Sequence, residues 1–134
     1  MEKLSLKTVT PQQLCDITAE VRQLVSESGV QEGLCLVYTP HSTAGVVIAC
    51  GIDPHALVDV DRLMRRLVPI DSPFAHTCDP ATDAAGHLKS ILANAQQIFP
   101  VSQGKLMLGS SQGIYFFEFD GPRERTVYVQ IIGA

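Results

Sequence analysis

The sequence predicts a single α+β domain spanning residues 1–134, with about three helices. Two stretches of 3.6-residue apolar periodicity each open on a capping residue followed by proline, Thr10-Pro11 and Asp53-Pro54. Much of the remainder falls into short runs rich in β-branched and aromatic residues, bounded by glycine, proline and serine. A chain of 134 residues has the size of one hydrophobic core, and no linker, repeat or low-complexity tract marks the start of a second domain.

Taken in order, Lys3 to Val9 alternates polar and apolar side chains through Leu4 and Leu6, which suits a half-buried strand. Thr10 caps and Pro11 opens a helix in which Leu14, Ile17, Val21, Leu24 and Val25 share one face, and Ser28-Gly29 closes it. Leu34–Tyr38 and Val46–Cys50 are apolar, β-rich runs. Thr39-Pro40-His41-Ser42-Thr43-Ala44-Gly45 forms the turn between them, so His41 stands where two core strands meet. Asp53-Pro54 starts a second helix, whose Leu57, Val60, Leu63, Met64 and Leu67 make a stripe that stops before Pro69. A third helix runs from about Asp83 to Asn94. Strands around Ile98–Val101, Lys105–Leu108, Gly113–Phe119 and Arg125–Ile132 complete the chain as an antiparallel meander.

Composition excludes several classes. With 46% apolar and 18% charged residues the chain is globular rather than disordered, and no apolar run approaches the ~20 residues of a membrane span. The start, Met1-Glu2-Lys3-Leu4-Ser5, lacks a secretory apolar stretch, so a cytoplasmic location is expected. Ten Lys and Arg against fourteen Asp and Glu give a net charge of −4, the wrong sign for a broad grip on nucleic acid. Cys15, Cys35, Cys50 and Cys78 form no C-x-x-C pair and read as reduced, mostly structural thiols.

His41, His76 and His87 stand beside small polar or turn-forming residues and are the candidates to share a cleft. Three imidazoles with one position left open is a familiar arrangement for zinc, although the spacing of 35 and then 11 residues matches no local metal motif. Cys78 lies two residues after His76, so an extended segment would place both on one face as a mixed His/Cys pair; the alternative is a free loop thiol. His55 reads as a solvated residue in the first turn of the second helix. The Gly109–Gly113 turn and the Asp120–Arg125 turn offer N–H groups, an amide and guanidinium groups to an anion, or are simply hairpins.

Several blocks occur in a fixed order: Thr39-Pro40-His41-Ser42-Thr43-Ala44-Gly45, the His76 and His87 pair, Pro100-Val101, and Gly104-x-Leu106-x-Leu108-Gly109. Gln112-Gly113-Ile114 and Glu118-Phe119-Asp120-Gly121-Pro122-Arg123-x-Arg125 complete the series. In these blocks the sequence closely resembles the YjbQ-like family over essentially the whole chain. Members of that family are often labelled secondary thiamine-phosphate synthase enzymes. The resemblance implies an α+β fold with a mixed, mostly antiparallel sheet, a homotrimer, and a divalent metal such as zinc held by His41, His76 and His87. It implies a metal-dependent enzyme acting on a small phosphorylated metabolite, with weak thiamine-phosphate synthase activity; the alternative is a non-catalytic metabolite- or metal-binding module. Ser42, Thr43, Gln112 and Arg123 are the residues expected to meet the anion. Relatives commonly carry an acidic residue where this chain has Cys50, a small polar or acidic residue where it has Ala85-Gly86, and tryptophan where it has Ser111. Those departures remove a candidate general base or metal-orienting carboxylate and an aromatic wall.

Overall fold

The structure, a computed structural model, describes all 134 residues. In chain order the elements are β1 (Glu2–Lys7), β2 (Gln13–Asp16), α1 (Thr18–Ser28), β3 (Glu32–Tyr38), β4 (Ala44–Cys50), α2 (Pro54–Leu67), α3 (Ala81–Ala93), β5 (Gln96–Ser102), β6 (Lys105–Leu106), β7 (Gln112–Glu118) and β8 (Glu124–Gly133). The predicted α+β class with three helices is what forms. Every ladder is antiparallel, and the strands divide into a five-stranded sheet ordered β1-β8-β3-β5-β6 and a three-stranded sheet ordered β2-β7-β4.

That division corrects the expected C-terminal meander. β5 and β6 stay together as a hairpin in the larger sheet, β7 becomes the middle strand of the smaller one, and β8 returns between β1 and β3. The physical reason is the composition of β7. Ile114 and Phe116 face the main core with α1, β3 and β8, while Phe117, with Phe119 just beyond the strand, packs on the other side with Ala93, Leu14, Val60 and Met64. A strand buried on both faces needs a cover on each, and here the larger sheet supplies one and α2 and α3 the other.

The first helix is also corrected. It begins at Thr18 rather than at residue 10, and Gln13–Asp16 instead pairs with Tyr115–Glu118 as β2. Pairing Leu14 with Phe117 and Cys15 with Phe116 gives β7 an edge partner. Leu14 therefore joins the helical side of that sheet, while Ile17, Val21, Leu24 and Val25 keep the helical period and fill the main core. Asp16 Oδ1 accepts the Thr18 N–H at 2.9 Å, and Gly29 ends the helix in the left-handed region with φ 71°.

The second helix starts as predicted, with the Asp53 carboxylate accepting the His55 N–H and Pro54 at its first position. One chain does not cover it. Val58, Leu63 and Leu67 stay 42–58% exposed, and only the side holding Val60 and Met64 packs on the sheet. α3 sits closer. A Cβ added at Gly86 would stand 3.1 Å from Thr43 Cβ, so glycine lets α3 lie against the start of β4. Lys89, buried on the same helix, donates to Gln12 Oε1 at 2.7 Å, and Gln12 in turn donates to Asp61 of α2.

Candidate functional site

The chemistry-bearing residues gather where the β7–β8 turn, the start of β4 and the first turns of α3 meet. Three arrangements lie there, and they differ in burial.

The innermost is an ion pair. Glu118 is fully buried and Arg125 nearly so, and Arg125 spans both carboxylate oxygens through Nε and Nη2. Glu118 also accepts the Thr8 hydroxyl at 2.8 Å and the backbone N–H groups of Phe119 and Asp120. Arg125 Nη2 donates to Thr43 Oγ1 at 2.8 Å. Burial pushes the Glu118 carboxyl up, but the Arg125 hydrogen bonds, the Asp120 N–H and the Thr8 hydroxyl outweigh it and hold the group below the ordinary carboxylate range. No buried side-chain polar atom in the chain is left without a partner. The pair fastens β7, β8, the β1–β2 connection and the start of β4 to one another.

The second arrangement is the turn. Asp120 Oδ2 accepts Arg123 Nη2 and its backbone carbonyl accepts Arg123 Nε, both at 2.9 Å. Asp120 Oδ1 accepts the Thr82 hydroxyl at 2.7 Å, tying the turn to α3. Arg123 keeps half its side chain exposed while two of its nitrogens are committed. Hydrogen bonding to Asp120 and that residue's charge raise its already high pKa further.

The outermost arrangement is a histidine cluster. His76 Nε2 and His87 Nε2 both face Asp83 Oδ2, at 2.8 and 2.9 Å, and the two rings meet edge to face with centroids 5.2 Å apart. Asp83 and His87 are one turn apart on α3, which puts them on one face. His76 comes from the loop after α2. Burial opposes ionisation of Asp83, but the hydrogen bond from His76 and the charge and hydrogen bond of His87 prevail, so the carboxyl sits below its usual range. The imidazole side chains are 37–39% exposed and that of Asp83 only 13%, so the donors converge from below and leave the outer side to solvent.

The donor set suits a divalent cation. Bonds of about 2.0–2.1 Å to nitrogen and oxygen at right angles separate donors by about 2.9 Å, and a tetrahedral angle widens this by about 0.4 Å. The observed 2.8 and 2.9 Å are hydrogen-bond lengths somewhat inside the tetrahedral spacing, and all three donor atoms fall within 4.8 Å of one another, close enough to share one ion after a small adjustment. Two histidines and a carboxylate with an open side also leave room for water or substrate.

The structure brings together some of the residues singled out in the sequence and not others. His76 and His87 meet, with Asp83 as the third donor. His41 belongs to no such group of three; its Nε2 accepts the Thr126 N–H at 2.9 Å. Burial, and then the Arg125 charge, lower the His41 pKa, so the neutral ring that accepts this bond is favoured. Thr43 is buried, and its hydroxyl is taken by Arg125. Ser42 is exposed, and its carbonyl accepts the Ser90 hydroxyl. Gln112 holds the Gly109 N–H at the far end of β7, six residues or about 20 Å from Glu118, so one chain does not place it with Arg123. His55 is solvated as read. The sequence reading missed Asp83, although its position four residues before His87 in a predicted helix was the available signal. It also missed Glu118 and Arg125 as a pair, and nothing local marks two residues that meet across a turn.

All four cysteines are free. Burial lifts the Cys35 thiol to about 11. Cys50, at the end of β4, is shifted the other way by the backbone N–H groups of Asp53 and Ile52.

The family profile described as "UPF0047 protein YjbQ-like" matches residues 2–134. The chain is 40% identical to UPF0047 protein YugU of Bacillus subtilis, over 99% of each chain. It is 40% identical to a UPF0047 protein of Methanocaldococcus jannaschii, over 98% of this chain and 93% of that one. Among solved structures, a YugU ortholog from Clostridium acetobutylicum superposes with TM-score 0.92 at 39% identity, covering 98% of this chain and 100% of that one. A YbjQ-like protein of Sulfolobus solfataricus superposes with TM-score 0.94 at 32% identity, covering 99% and 96%. The chain belongs to the YjbQ-like UPF0047 family.

Proposed function

We propose that this family member is a metal-dependent enzyme acting on a small phosphorylated metabolite, with the cation held by His76, Asp83 and His87. The observation that carries the reading is the convergence of two imidazole nitrogens on one Asp83 oxygen, 2.8 and 2.9 Å away, on a solvent-facing side. A divalent cation such as zinc would supply Lewis-acid polarisation of a phosphoryl oxygen there. Arg123 supports the anion half of the reading, because the Asp120–Thr82 contact ties its turn to the helix that carries Asp83. Its uncommitted nitrogen is available to a phosphate, and Asp120 fixes the guanidinium plane beforehand.

The first reaction to test is the one the family resemblance carries, joining the pyrimidine and thiazole-phosphate halves of thiamine phosphate. Zinc titration by calorimetry on the metal-stripped protein tests the site without presupposing turnover. Binding is expected in the parent and lost in His87→Ala and Asp83→Ala; undiminished binding in both variants would dismiss the site. Turnover of the two precursors that disappears with the metal supports an enzyme. Binding of a phosphorylated ligand without turnover supports the second reading, a metabolite-binding module.

The homotrimer implied by the resemblance is part of the same proposal. Leu34, Ile98 and Ile132 share the outer face of the larger sheet on neighbouring strands and are 51–57% exposed. A second copy covering that face would remove a contiguous apolar surface from water. A trimer mass by light scattering is expected, with Ile98→Asp shifting it toward monomer. No helix is long and apolar enough to cross a membrane.

A further inference from the structure

The loop that delivers His76 carries a second set of donors, which the site above does not use. Cys78 Sγ lies 3.6 Å from His76 Nδ1, and Asp79 Oδ2 lies 3.8 Å from that sulfur and 3.3 Å from His76 Nε2. One ligand atom from each of the three residues falls within 4.8 Å of the others. Bonds of about 2.3 Å to sulfur and 2.0–2.1 Å to nitrogen, meeting at a tetrahedral angle, place the two donors about 3.6 Å apart. That is the separation found between Cys78 and His76. All three residues are exposed, and His76 and Asp79 border an open cleft lined by Ser72, Pro73, Phe74 and Thr77, so an ion reaches them directly from solvent.

The geometry points to a second metal site, formed by His76, Cys78 and Asp79, that takes a thiophilic divalent cation. Thiolate among the donors selects soft ions, whereas the carboxylate and two imidazoles around Asp83 suit harder or borderline ones. Binding would release the thiol proton of Cys78 to solvent as the metal–sulfur bond forms. Cys78 faces His76 Nδ1 and Asp83 faces Nε2, with the Asp79 carboxylate 3.3 Å from Nε2 and 3.8 Å from the Cys78 sulfur. A neutral imidazole has one lone pair to give, so an ion on Nδ1 leaves the proton on Nε2, where it continues to donate to Asp83. The same histidine therefore serves one ion at a time, and the softness of the ion decides which side of the ring is used.

The test is a cadmium titration of the purified full chain in a thiol-free reductant, following thiolate-to-cadmium charge-transfer absorption and the dissociation constant. In the parent the band is expected to rise to saturation. Cys78→Ser and His76→Ala are expected to remove it and to raise the cadmium dissociation constant at least tenfold. Cys50→Ser is expected to keep both within about twofold. Cys78 is exposed, so its replacement by serine does not threaten folding. A band that survives Cys78→Ser, or one that vanishes in Cys50→Ser, would overturn the second site. The zinc site fails separately, by zinc affinity that does not fall in His87→Ala.

Discussion

Two polar clusters lie close together in this molecule, and they carry their charges in opposite ways. Around Glu118 every oxygen lone pair has a rigid donor: a guanidinium, a hydroxyl and two backbone N–H groups, all out of water. Around Asp83 two imidazoles share one oxygen, both remain more than a third exposed, and one arrives on a loop. The comparison teaches which kind of cluster holds a fold and which kind awaits a ligand. A buried charge must be fully answered by the protein, because removing one partner leaves the other stranded at low dielectric. Imidazoles that stay part-exposed can exchange their hydrogen bonds to Asp83 for a cation at modest cost to folding, since water already bears part of their solvation.

The sharpest way to break this contrast is Glu118→Gln, which leaves Arg125 buried without a countercharge. A loss of about 3–5 kcal/mol in urea unfolding is expected, with a melting temperature lower by roughly 10–20 °C for a chain of this size. A loss below about 1 kcal/mol would mean the pair is not the structural anchor it is taken for here.

Acid should expose the same contrast more gently. Glu118 and Asp83 have pKa values held below their ordinary range, and His41 lies below the ordinary histidine value. In each case the unfolded chain takes up protons first, so stability rises with pH across the interval between folded and unfolded values. His41 contributes stability that is complete above about 6.5, its unfolded value, and is lost as pH falls toward its folded one. The carboxylates follow below about 4. Unfolding free energy measured from pH 7.5 to 5 should therefore decline, and His41→Asn should flatten that decline. An unchanged slope in the variant would remove His41 from the account.

On the exposed side, Asp83→Asn should leave stability within about 1 kcal/mol. It should weaken zinc binding by more than about a hundredfold, beyond the usual cost of losing an outer-shell partner. If the variant unfolds as readily as Glu118→Gln, the two clusters are not different in kind. Arg123→Lys is the smallest test. It keeps the charge but loses the planar fork, so phosphate affinity should fall about tenfold, roughly the loss of one charge-assisted hydrogen bond. Undiminished phosphate binding with a melting point several degrees lower would make Arg123 a brace on Asp120 and nothing more.

Much of the architecture is legible in the sequence. The stripe of α1 from Ile17 to Val25, the Asp53-Pro54 start of α2 and the alternation in β1 are local patterns, set by neighbours within one or two turns of chain. Residues 13–16 fit the helical stripe through Leu14 when only neighbours in sequence are considered. Only the presence of Phe116 and Phe117 a hundred residues away turns that segment into a strand.

The sequence by itself determined the fold class, the family, and the residue types from which a site would be drawn, because composition, periodicity and ordered motifs are properties of the chain. Tertiary structure alone decided which histidines meet, that Asp83 joins them, and that Thr43 and Glu118 are consumed by Arg125. It also set Gln112 and Arg123 near opposite ends of β7. Those outcomes depend on distances of a few ångströms between segments far apart in sequence. Such distances are fixed by how two sheets and three helices share one core, and no local run of residues carries that information.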